Sequence, residues 1–134
     1  MFNLYQARLT DAQINEVNLR GWEAHKLYVD LQLLFGSDEK GIAAVFAANA
    51  YFRHTAIVDV ESLEEVFEVT NVGPLTNVTR VGQMRSCSVG DVVIRADHKG
   101  GAVCLPMGWA VLTEQQVREW ECMVTTVMLM GDPI

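Results

Sequence analysis

Apolar positions along this chain recur at two spacings, every second residue and every third or fourth, and the switches between them divide it into elements. Phe2 to Leu9 alternates, with Tyr5, Ala7 and Leu9 on one side, which predicts a first strand. Thr10-Asp11-Ala12-Gln13 forms a capping box that opens a helix carrying Ile14 and Val17 up to Gly21. Ala24, Leu27, Tyr28, Leu31 and Phe35 predict a second helix over 23–35, stopped by Gly36, with a strand through Leu27–Leu34 as the competing reading. A third helix starts at Ser37-Asp38-Glu39 and sets Ile42, Val45, Phe46, Asn49 and Phe52 on one side. Its other positions are largely alanine, which suits close approach to neighbours. His54 to Val60 follows as a β-branched strand.

The clearest helix runs from Ser62 to Asn71. Ser62 and Glu65 make a capping box, Leu63, Val66, Phe67 and Thr70 make the inward stripe, Asn71 suits a left-handed C-cap, and Gly73-Pro74 prevents continuation. Residues 73–83 read as a polar loop. Ser86 to Arg95 then predicts a strand entered through Val89-Gly90-Asp91, a hairpin turns over residues 96–101, and strands return over 102–105 and 109–112 around the Pro106-Met107-Gly108 break. A third capping box, Thr113 to Gln116, opens a last helix with Val117, Trp120, Val124 and Val127 on one face. Val124 to Val127 also fits a strand. The sum is a single α+β domain over 1–134, with a small, mostly antiparallel sheet packed against several helices.

Charge narrows what the domain can do. Among 134 residues, 17 are acidic and 10 basic, for a net charge of -7, and no basic run exists. That argues against binding a nucleic-acid backbone. No basic leader followed by an apolar segment opens the chain and no run of 18 apolar residues occurs, so a cytoplasmic protein without a membrane span is expected. Three cysteines without a CxxC pair fit a reducing compartment. If the strands flanking His98–Gly101 pair through that turn, Cys104 falls opposite a residue near Ile94, which leaves Cys87 too far for a disulfide.

Candidate chemistry is sparse. His25, His54 and His98 lack the spacing that puts two metal ligands on one helix face. Ser86-Cys87-Ser88 precedes Val-Gly-Asp and is no Gly-x-Ser-x-Gly elbow. Its plain reading is a turn in which Gly90 relieves strain and Asp91 bonds local amides. No phosphate loop or dinucleotide fingerprint is present, so no cofactor is expected. Asp59, Glu61, Glu64, Glu65 and Glu68 form an acidic rim that suits either solvent or a basic partner. Trp120, Met123, Val127, Met128 and Met130 make the tail apolar. They serve either the core or an interface with a protein partner or a second copy of the chain. An enzyme built on Cys87, Asp97 or His98 would require these groups to converge on one cleft.

The pair Leu63-Glu64-Glu65-Val66-Phe67-Glu68-Val69-Thr70-Asn71 and Arg85-Ser86-Cys87-Ser88-Val89-Gly90-Asp91-Val92-Val93 resembles a signature of small bacteriophage and plasmid proteins. The resemblance covers roughly residues 55–112. It implies a mobile-element-encoded, non-enzymatic binding protein and carries no activity to transfer. Val-Gly-Asp entering a strand is also similar to ASCH and PUA-like domains, which implies a small-ligand or nucleic-acid-binding alternative.

Overall fold

A computed structural model describes residues 1–22, 25–27 and 32–129. Its centre is a six-stranded antiparallel sheet of β1 (Phe2–Ala7), β2 (Phe52–Val58), β3 (Val78–Arg80), β4 (Val92–Arg95), β5 (Gly101–Cys104) and β6 (Trp109–Leu112). The strand order is β3-β2-β1-β4-β5-β6. Among the described residues the α-helices are α1 (Asp11–Arg20), α2 (Asp38–Ala47), α3 (Leu63–Asn71) and α4 (Glu114–Leu129). The fold is α+β, as the alternation of periods predicts.

Each strand sends alternate side chains to opposite faces, and the two faces are finished differently. The first face carries Phe52, Val92, Ile94, Val103, Ala110 and Leu112, packed under Ala44, Val45 and Ala48 of α2 and Val117, Trp120 and Val124 of α4. Trp120 is fully buried, and its indole N–H donates to the Val45 carbonyl at 2.9 Å, which locks α4 onto α2. The close approach expected all round the alanine-rich helix is confined to one side, where Ala44 and Ala48 are buried, while Ala43, Ala47 and Ala50 are exposed. A Cβ on Gly41 would come within 2.6 Å of Leu105. The second face carries Phe2, Leu4, Ala56, Val58 and Val93, under Leu63, Val66 and Val69 of α3.

The capping boxes at Thr10 and Thr113 form in full, while Ser62 supplies the hydroxyl half alone, since Glu65 accepts from its hydroxyl and not from its backbone N–H. In each the hydroxyl accepts the backbone N–H three residues on. Several expectations fail for identifiable reasons. Phe67 stands 43% exposed, because the buried stripe of α3 runs through Val66 and Thr70 and leaves Phe67 on its flank. Asn71 remains helical and the left-handed position falls to Gly73, with φ 89°. Phe52 leaves the third helix and begins β2, since a 3-10 turn at Asn49–Tyr51 ends the helical run. The loop 73–83 holds a 3-10 turn and the short strand β3, and the 86–95 strand is confined to Val92–Arg95. No α1 residue is buried. Of the predicted second helix, residues 23–24 and 28–31 lie outside the described residues. Gln32–Phe35 is a 3-10 turn in which Leu34 is buried and Phe35 is 71% exposed.

Candidate functional site

The signature around Asp91 folds into a knot of hydrogen bonds. Gly90 takes φ 92°, a left-handed value that glycine adopts without strain. Asp91, buried, accepts the Ser88 N–H at 2.9 Å and the Gln6 side-chain amide at 2.8 Å. Arg85 Nη1 reaches both Asp91 oxygens at 2.9 Å. Burial nevertheless raises the Asp91 carboxyl above the ordinary carboxylate value, against the pull of Arg85 and these bonds. A β-bulge between Leu4 and Tyr5 lets Thr55 share this face, and its hydroxyl donates to Gln6 Oε1 at 3.0 Å. The two halves of the signature meet at Cys87. Thr70 accepts its N–H at 3.1 Å and the Asn71 amide donates to its carbonyl at 3.0 Å. These residues fasten the 85–91 turn to α3 and β1. Every buried side-chain polar atom described has a partner, so the motif is consumed by structure.

Cys87 is likewise internal, and the expected separation from Cys104 is wrong. Cys104 lies opposite Asp91, with its N–H donating to the Asp91 carbonyl at 2.9 Å and its carbonyl accepting from Gly90 at 2.8 Å. The chain reverses over 96–99, before the assumed His98–Gly101, so Ile94 faces Gly101 and the register brings Cys104 opposite Asp91. Interaction with the Cys104 thiol, and then burial, pushes the Cys87 thiol up, while the same interaction brings Cys104 down against the effect of its burial. All three cysteines are free, and both of these are buried.

Asp97 and His98 do not meet Cys87. They line an open groove of about 530 Å³ with Glu114, Arg118, Glu121 and the exposed Cys122. His98 occupies the left-handed region at φ 62°, a strain of about 1 kcal/mol for a non-glycine residue. Its Nδ1 lies 2.8 and 2.9 Å from the Glu121 carboxylate oxygens. A thiol, an imidazole and carboxylates therefore share a hollow, through a cysteine that the sequence reading passed over. No hydrogen bond joins Cys122 to His98 among the described residues. Cys122 sits inside α4, away from the free amides of a helix start. Among the described residues no group of His, Cys, Asp and Glu could hold a metal.

Asp59, Glu61, Glu64, Glu65 and Glu68 are all exposed. Glu61 and Glu64 border a groove of about 480 Å³ that also takes in Glu114, Arg95 and Lys99, with Phe2, Gly101, Val111 and Leu112 among its lining. Its apolar character comes from the second sheet face. α3 packs over β1, β2 and β4, and Val111 on edge strand β6 is left 72% exposed. Sequence alternation alone could have flagged Val111, since Ala110 and Leu112 must face the core.

The proposed tail interface changes. Trp120 belongs to the core and is unavailable to a partner, and Met123 is half-buried against the same cluster. The side chains of Val127 and Met128, and all of Met130, lie outside the described residues. No described helix is long and apolar enough to cross a membrane. Comparison with protein-family models, curated proteins and solved structures gives no match.

Proposed function

We propose that this chain is a small non-enzymatic binding protein, of the phage- or mobile-element-encoded kind its signature resembles, and that it acts by protein–protein contact. The observation that supports the reading is Val111. It is a β-branched residue 72% exposed in a groove flanked by Glu61, Glu64 and Glu114. Such a groove suits a segment that inserts an apolar side chain and sets a Lys or Arg against the carboxylates. The apolar contact supplies affinity, and the rim charges supply encounter rate and orientation. A photo-crosslinking residue at position 111 tests it, with position 19 on exposed α1 as the control. The expected result is a discrete adduct from position 111 that disappears when Glu61 and Glu64 are changed to Lys. Equal labelling from both positions would remove the proposal.

A second reading rests on the hollow shared by Cys122, His98 and Glu121. A carboxylate that orients an imidazole is one half of a thiol-enzyme constellation, and the other half is a thiol within reach of that imidazole. Alkylation of Cys122 by iodoacetamide separates the readings. The binding-protein reading expects the same rate in His98→Ala as in the parent. A fall of about ten-fold or more would place the imidazole at the thiol and favour the enzyme.

A further inference from the structure

A separate cavity of about 300 Å³ opens at the far end of β1, lined by Gln6, Ala7, Arg8, Thr55, Gln83, Met84 and Arg85. In a chain of net charge -7, this lining contains two arginines and no carboxylate. The floor offers a ligand little. The Gln6 amide is spent on the Arg85 carbonyl and Asp91, its oxygen on Thr55 and the Arg85 N–H, and the Thr55 hydroxyl on Gln6. Beside the neutral Gln83 amide, the donors that remain are cationic. Arg85 commits Nη1 to Asp91 and Ser88, which leaves Nε and Nη2. Arg8, half-buried, forms no ion pair or side-chain hydrogen bond among the described residues. Asp91 offsets Arg85 alone, so Arg8, which lines the same cavity as Arg85, has no counter-charge among the described residues.

A planar guanidinium fork matches the oxygens of a carboxylate or phosphoryl group, and a charge-assisted pair of this kind is stronger than a neutral hydrogen bond. The volume sits at the low end of small-molecule sites, which suits a few heavy atoms rather than a polymer. Met84 supplies an apolar wall against which a short carbon stem can rest. We propose that this cavity is a binding site for a small oxyanion-bearing ligand, held between Arg8 and Arg85, distinct from the Val111 groove. The sequence concealed it, because the arginines are 77 positions apart and the net charge is acidic.

Amide NMR titration of the intact chain with inorganic phosphate, and separately with succinate, tests the site. The expected outcome is a saturable shift confined to residues 6–8, 55 and 83–85 with at least one probe. The probe that saturates identifies the phosphoryl or carboxylate class. Arg8→Gln should weaken that binding about ten-fold or more with an unchanged melting temperature, since the Arg8 side chain holds no hydrogen bond or ion pair among the described residues. Arg8→Lys should recover only part of it. Shifts that stay linear for both probes, or that saturate equally in Arg8→Gln, would overturn the proposal.

Discussion

The two faces of the sheet are built from the same strands and solve burial in opposite ways. The first is closed by apolar contact, where α2 and α4 cover it and Trp120 fills the centre with its one N–H satisfied. The second is covered by α3 over β1, β2 and β4, is fastened at one end by the Gln6–Asp91–Arg85 knot, and stays open at β6. Apolar packing is non-directional and tolerates no gap, so the described core of the first face is filled by its own side chains. A polar knot fixes positions by direction. It can hold a turn in place while grooves remain beside it, and both proposed binding sites lie along the second face.

Substitutions that strike each face test this contrast. The largest effect is expected from Trp120→Ala, which removes a fully buried indole and leaves the Val45 carbonyl unpaired. Urea unfolding should show a loss of about 3–5 kcal/mol. Asp91→Ala removes the acceptor shared by the Gln6 amide, the Ser88 N–H and Arg85, and because Gln6 keeps the Arg85 carbonyl and Arg85 is half-exposed the expected loss is smaller, about 2–3 kcal/mol. A loss below about 0.5 kcal/mol would show that the knot contributes nothing to the second face.

Acidity provides a subtler probe of the first face. Burial lowers His54 below its ordinary value of 6.5, partly countered by its bond to the Ala56 carbonyl and by Glu121. The ring packs edge-on to Tyr5 at 5.0 Å. The unfolded chain therefore takes the proton first. This contribution is present above pH 6.5 and is lost as pH falls toward the folded-state value. Unfolding free energies at about pH 7.5 and about pH 5.5 should converge in His54→Gln relative to the parent. The smallest effect belongs to Phe67→Ala. At 43% exposure it should cost under about 1 kcal/mol by thermal melting, whereas burial in the stripe of α3 would cost about 3–5.

Local rules carried much of the fold into the sequence. The helix starts at Thr10, Ser62 and Thr113 depend on residues three apart, so they could be read directly; the boxes at Thr10 and Thr113 close in full and the Ser62 hydroxyl caps its helix. The turn role of Gly90 and Asp91 was legible for the same reason. The sites were less so. The acidic rim was visible as neighbours on one stretch, but nothing local announced that Glu61 and Glu64 border Val111, or that Cys122 shares a groove with His98.

By itself the sequence determined which segments could cap, turn and alternate, and hence an antiparallel sheet with helices against it, because those choices are settled by contacts within a few residues. Only the tertiary structure decided which way Phe67 turns, that Cys104 lies against Cys87, that Trp120 is core, and that Arg8 and Arg85 face one cavity. Each depends on where a distant strand edge or loop comes to rest. That is set by packing of the whole sheet, in which a one-residue bulge such as the one beside Leu4 moves a side chain from one face to the other.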